Sequence, residues 1–149
     1  MIKRAGMNEA GELAALAIQM WTDHDLKDLE AEFRKLAMND EAACFIKYAE
    51  DKPIAFAQCQ LRHDYVEGTE SSPVGYLEGI FVSEGYRKKG HAAELLSECE
   101  KWAKEKGCTE FASDCELDNA ASLRFHMSLG FEAANRIICF RKDLEKNSW

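Results

Sequence analysis

Apolar residues recur along the chain at two periods, and the switches between them divide it into elements. Ile2 to Ala5 reads as a short strand. Leu13, Leu16, Ala17 and Met20 repeat at helical spacing, with Asn8 placed to cap that helix. Leu29, Phe33 and Leu36 mark one face of a second helix, about Leu26 to Met38. Ala43 to Ala49 reads as a strand, and Asp51-Lys52-Pro53 turns the chain into a long strand from Ile54 to Val66. A polar loop, Glu67 to Pro73, leads to a central strand, Gly75 to Val82. The next helix, His91 to Lys106, carries Ala92, Leu95, Leu96, Cys99, Trp102 and Ala103 on one face, and Gly107 closes it. Thr109 to Ser113 follows as a short strand after a helical crossover, so it should lie parallel to the central strand. Asp118 or Asn119 caps a last helix to Leu129, closed by Gly130. Phe131 to Ala134 and Ile137 to Arg141 could form a final hairpin, and the tail from Glu145 is expected to be loose. This order predicts an α+β fold with a mixed, mostly antiparallel sheet, in one domain over residues 1–149.

Charge and composition narrow the partners. The chain carries 27 acidic and 19 basic side chains, a formal charge of −8. Nucleic acid is therefore a poor partner, and a cationic small molecule or peptide fits better. No run approaches the roughly 20 apolar residues of a membrane span, and Met1 to Met7 has no apolar leader core. No membrane partner is expected, and a cytoplasmic location is the default. The six cysteines form no CxxC pair and no zinc-ligand spacing. Most lie in apolar-patterned segments, which predicts buried thiols in a reducing compartment and no metal site.

Against this acidic background a basic loop stands out. Tyr86-Arg87-Lys88-Lys89-Gly90-His91-Ala92 follows the central strand and opens a helix. A helix start offers unpaired backbone N–H groups and the positive end of the dipole. Gly90 and Ala92 leave room for an anion to approach the backbone, and Arg87, Lys88 and Lys89 add charge. The spacing is neither that of a Walker A loop nor that of the dinucleotide fingerprint. A polyphosphate ligand is the candidate, and a solvated basic turn is the alternative.

Three features in order resemble the GNAT superfamily of acetyl-CoA-dependent N-acetyltransferases. They are the strand Leu77 to Val82, the loop Arg-x-x-Gly-x-Ala at Arg87 to Ala92, and Asn119 with Leu129-Gly130-Phe131. The resemblance implies the GNAT fold, with helices on both faces of the sheet and a parallel central pair splayed around acetyl-CoA. It also implies that Ile80, Phe81 and Val82 line pantetheine and that Arg87, Lys88, Lys89, Gly90, His91, Ala92 and Ala93 surround the phosphates. A narrower likeness is to the aminoglycoside 6'-N-acetyltransferases. It rests on Tyr65 to Ile80, on Cys108-Thr109-Glu110-Phe111-Ala112-Ser113-Asp114, and on Trp21 with His24. That likeness implies that Trp21, His24, Tyr65, Glu78 and Asp114 face a cationic aminoglycoside, that Asn119 touches coenzyme A, and that the enzyme is a homodimer conferring antibiotic resistance.

The residues suit that chemistry. An alkyl amine has a pKa near ~10 and must lose a proton before it attacks a thioester. A carboxylate beside it can hold the ammonium and then accept that proton. Glu78 lies within an otherwise apolar strand, which is costly unless the group is exposed or paired. Asp114 ends the neighbouring strand, where a cap or loop role is the alternative. We expect these two to bind the amine, with Glu78 as the leading proton acceptor, in a direct transfer without a covalent enzyme intermediate. A strand N–H near Ile80 would polarise the thioester oxygen. Many members of the superfamily carry tyrosine as the acid for the departing thiolate; this chain has His126 at that place, which leaves the acid open. Cys115 has no evident histidine partner and is not expected to be a nucleophile. Trp21 and Tyr65 could instead be core aromatics. The alternatives kept open are another amine acceptor (a polyamine, lysine or peptide N-terminus) and a non-catalytic acyl-CoA-binding module.

Overall fold

The computed structural model describes residues 1–145, and the chain forms two compact units, Met1–Asp114 and Cys115–Trp149. The first unit holds β1 (Ile2–Arg4), a 3-10 turn (Met7–Glu9), α1 (Ala10–Ala17) and α2 (Leu26–Ala37). These are followed by β2 (Ala42–Ala49), β3 (Lys52–Arg62), β4 (Val74–Val82), α3 (His91–Glu105) and β5 (Phe111–Ala112). The strands form one sheet in the order β1-β2-β3-β4-β5. The first three pairings are antiparallel and β4–β5 is parallel, as the helical crossover through α3 requires. This is the mixed, mostly antiparallel sheet that the pattern of the chain predicts.

Strand alternation sends side chains to two helical layers. Phe56 and Phe81 are register partners and point to one face. There they meet Leu13 and Leu16 of α1 and Leu29 and Phe33 of α2, with Ile46 and Cys44 of β2. The other face carries α3, whose Leu95, Leu96, Cys99, Trp102 and Ala103 are buried. Gly75 is on this side, and a Cβ there would lie 2.7 Å from both the Ala103 Cβ and the Phe111 ring. Helices therefore cover both faces. Cys44, Cys59, Cys99 and Cys108 are buried free thiols, whereas Cys115 and Cys139 are exposed. Burial pushes the Cys44 thiol up to about 12, so it acts as an apolar filler.

Several boundaries differ from the sequence expectation. Asn8 does not cap the first helix, because it lies inside the 3-10 turn. Glu9 organises that entry: its carboxylate accepts from the Gly6 amide at 2.7 Å and from Lys3 Nζ at 3.1 Å. These bonds, the amide first, hold its carboxyl below the usual range. Asp25 caps α2 through the Asp28 amide at 3.2 Å. β3 stops at Arg62, short of Val66, because its last partner is Val74, where β4 begins. The loop between them ties itself down, with Thr69 bonded to the Val66 carbonyl and Ser72 Oγ to the His63 carbonyl. β5 keeps only Phe111 and Ala112 of the expected five-residue strand.

The second unit is built on α4 (Ala120–Ser128). Asn119 caps it, its side chain accepting from the Ser122 amide at 3.0 Å, and Gly130 follows with φ 91°. The expected final hairpin does not form: among the described residues no strand follows α4. Ile138 and Phe140 are 76% and 90% exposed, so no apolar burial offsets the ordering of two isolated strands. The expected loose tail from Glu145 lies, beyond that residue, outside the described residues.

Candidate active site

A break in the ladder between β3 and β4 lies at the centre of the candidate site. Gln58 pairs with Gly79 and Cys59 with Leu77, so Glu78 is the extra residue of a bulge. A bulge bends its strand and re-aims a side chain. Glu78 meets Arg62 at the end of β3, accepting from Nε at 3.0 Å and from Nη2 at 2.9 Å. The guanidinium carbon lies 3.4 Å from the centre of the Tyr76 ring. The Tyr76 hydroxyl in turn donates to the Asp114 carboxylate. The structure thus joins the two expected carboxylates through two residues that the sequence did not single out: Glu78–Arg62–Tyr76–Asp114.

The electrostatics follow from these contacts. The Glu78 hydrogen bonds hold the Arg62 guanidinium more firmly charged than usual, against the opposing effect of burial. Burial first, and then the Asp114 carboxylate, push the Tyr76 phenol well above its ordinary value. Tyr76 is therefore a neutral donor at any working pH. The half-buried charge in β4 does have a partner. Which residue supplies it is decided by the bulge, and no motif announces that.

Trp21 borders this cluster. A Cβ on Gly79 would lie 3.2 Å from the edge of the Trp21 indole, so the ring covers β4 next to the bulge. It also meets Phe56 edge-on, with centroids 6.3 Å apart. Trp21 thus packs on the core, as the core reading expects, and also lies against β4 beside the bulge. His24 is 5.8 Å from it, ring to ring, with Nδ1 3.2 Å from the Asp23 carboxylate. Tyr65 stands 76% exposed in the loop between β3 and β4.

Beyond Tyr76 the parallel ladder ends, since its only register pairs are Gly75 with Phe111 and Tyr76 with Ala112. Within Met1–Asp114 the remaining edge of β4, through Ile80, Phe81 and Val82, has no strand partner on that side. Phe81 points into the core, while Ile80 and Val82 are half-buried. Arg87 folds back on the strand end, Nε bonded to the Val82 carbonyl at 2.8 Å and its guanidinium 5.7 Å from the Phe81 ring. Arg87, Lys88, Lys89 and Gly90 are exposed. Lys88 holds φ 63°, an uncommon conformation for a non-glycine residue and one found at ligand clamps. Gly90, at φ 85°, precedes α3 and offers no side-chain cap to its first amides. His91 presents a buried Nδ1 with no hydrogen-bond partner among the described residues, and Ala92 and Ala93 complete a first turn of small side chains after it. A pantetheine chain and a pyrophosphate match these features: an open strand edge, then uncapped helix amides.

Asn119 and His126 belong to the second unit. Asn119 is the α4 cap described above. His126 Nδ1 donates to the Ser122 carbonyl at 2.8 Å, and its ring lies 5.2 Å from that of Phe131. No group of histidine, cysteine or carboxylate side chains able to hold a metal occurs among the described residues.

Comparison with known proteins agrees with this geometry. The model of the acetyltransferase (GNAT) family matches residues 11–131. An aminoglycoside N(6')-acetyltransferase type 1 of Serratia marcescens is 40% identical, covering 87% of this chain and 90% of its own. One from Acinetobacter haemolyticus is 38% identical, over 97% and 99% of the two chains. Among solved structures, AAC(6')-Iy in complex with the bisubstrate analogue CoA-S-monomethyl-acetylneamine superposes with a TM-score of 0.92 at 37% identity, over 96% and 97% of the chains. AAC(6')-Ih from Acinetobacter baumannii gives 0.91 at 37% identity, over 97% and 98%. A bulged strand with an open edge, a basic turn into a helix, and a family match across most of the chain lead to one conclusion: the protein belongs to the acetyltransferase (GNAT) family.

Proposed function

We propose that this protein transfers the acetyl group of acetyl-CoA to the 6'-amine of aminoglycosides and so confers resistance to them. The observation that carries the reading is the carboxylate pair Glu78 and Asp114, joined through Arg62 and Tyr76 beside the unpaired edge of β4. Relatives of about 40% identity that act on aminoglycosides support the choice of acceptor.

In this reading acetyl-CoA supplies an activated acyl group. The β4 edge at Ile80, Phe81 and Val82 pairs with pantetheine. The turn from Arg87 to Gly90 and the first amides of α3, at His91, Ala92 and Ala93, take the pyrophosphate, and Asn119 touches the coenzyme. Trp21, His24 and Tyr65 wall the sugar. Glu78 and Asp114 hold the ammonium, and Glu78 takes its proton as the nitrogen attacks. A β4 amide near Ile80 holds the carbonyl oxygen. His126 is the proposed donor to the departing sulfur. The family match runs from residue 11 to residue 131, across the boundary between the two units, and supports their acting as one domain. The exposed Ile138 and Phe140 provide an apolar surface that a homodimer would cover, and a cytoplasmic site of action suits such a resistance enzyme. The test is thiol release from acetyl-CoA by the purified protein over a panel of amines. Release with kanamycin or tobramycin, and not with polyamines, lysine or peptides, is expected. Coenzyme binding without release for any aminoglycoside contradicts the reading.

A further inference from the structure

We propose that Arg62 is a positioning residue for the acceptor amine, presenting Glu78 and Asp114 as a single unit with one net negative charge. The inference rests on the acetyltransferase reading above and deepens it. Arg62 grips Glu78 at two points, 3.0 and 2.9 Å, and lies flat on the Tyr76 ring. Tyr76 fixes Asp114 through its hydroxyl. Every link lies within Met1–Asp114.

Three physical consequences follow. Two carboxylates brought to one ammonium repel each other, and a guanidinium between them offsets that repulsion. With Glu78 and Asp114 negative, Arg62 positive and Tyr76 neutral, one net negative charge remains, which matches one ammonium. A carboxylate can accept about four hydrogen bonds. The fork of Arg62 uses two of those sites on Glu78, so the others remain for the substrate, and their direction is set by the fork. Lysine could supply the charge but neither the planar fork nor the ring stack. The Arg62 side chain is 39% exposed and that of Glu78 17%, so the carboxylate is the more enclosed partner and keeps only a small open face.

The test is a double-mutant cycle on turnover. Arg62→Met should lower kcat/KM for an aminoglycoside roughly 10- to 100-fold, with KM for acetyl-CoA unchanged. In a Glu78→Gln background the same substitution should cost several-fold less, because the fork on the Glu78 carboxylate is gone and only the stack on Tyr76 remains. Arg62→Lys should fall between wild type and Arg62→Met, and it serves the same cycle if Arg62→Met does not fold. Wild-type turnover combined with an equal cost of Arg62→Met in both backgrounds would leave Arg62 a merely structural residue and overturn this inference alone. No turnover of any aminoglycoside by the wild type would overturn the functional reading and this inference with it.

Discussion

At the scale of single residues, the account places the chemistry on the Glu78 carboxylate. Glu78→Gln keeps shape and hydrogen bonding but removes the proton acceptor. It should lower kcat/KM for the amine by about 10²-fold or more, with coenzyme affinity, measured by calorimetry, left as in the wild type. Unchanged turnover would remove Glu78 from its role. The sequence singled out Glu78, an acid in an apolar strand, and Asp114, at the end of its neighbour, and the structure links the two. Arg62 and Tyr76 were not legible in it. Their link to the acids depends on which residue a bulge pushes out of register, and the ladder decides that, not the local pattern. Trp21 was legible as an aromatic of two possible roles, and the structure shows its packing on the core and against Gly79. Its missing side chain lets the indole lie against β4. Gly79→Ala, whose Cβ would be 3.2 Å from that ring, should therefore raise KM for the aminoglycoside more than it lowers thermal stability. An unshifted KM would show that Trp21 does not wall the acceptor.

At the scale of elements, α3 and the β4–β5 pair approach closely at Gly75. Gly75→Ala would bring a methyl to 2.7 Å from the Ala103 Cβ and from the Phe111 ring. Overpacking of this kind costs about 1–3 kcal/mol, read as a lowered unfolding midpoint in denaturant, and a midpoint equal to the wild type would contradict the packing described. The loop before β4 has its own anchor. The Glu110 carboxylate accepts from the Ser71 hydroxyl and from the Glu70 amide, which hold its carboxyl below the ordinary value of 4.5. A depressed carboxyl lends its contribution fully above that ordinary value and loses it as pH falls through the lower, folded value. Hydrogen-exchange protection of the Glu70 amide should hold from neutrality down to the ordinary carboxylate range and fall below it. Constant protection through strong acid would contradict this anchor. Helix faces were legible because periodicity reports burial, and the parallel β4–β5 pair because a helical crossover joins those strands. Strand ends were less so: β3 stops where its partner begins, and β5 stops where the parallel pair parts. The apolar run Ile137 to Phe140 reads as a strand by composition, yet a strand needs a ladder partner that composition does not supply.

At the scale of the whole molecule, charge and chemistry agree. A chain of formal charge −8 attracts a polycation over a distance that salt shortens, with a screening length of about 10 Å at 0.1 M. The basic turn at Arg87, Lys88 and Lys89 is the local exception, and in the proposed reading it meets the opposite kind of ligand. Raising ionic strength should therefore raise KM for the aminoglycoside, and a salt-independent KM would show that the field of the protein has no part in capture. The family match and the open edge of β4 account for the acyl donor; the acceptor is the decisive claim. The most direct measurement is the NMR spectrum of the product made by purified protein from acetyl-CoA and kanamycin. The account predicts one new acetamide on the 6' nitrogen, formed in step with free thiol. An acetyl group on any other nitrogen, or an aminoglycoside recovered unchanged while another amine is acetylated, would contradict it.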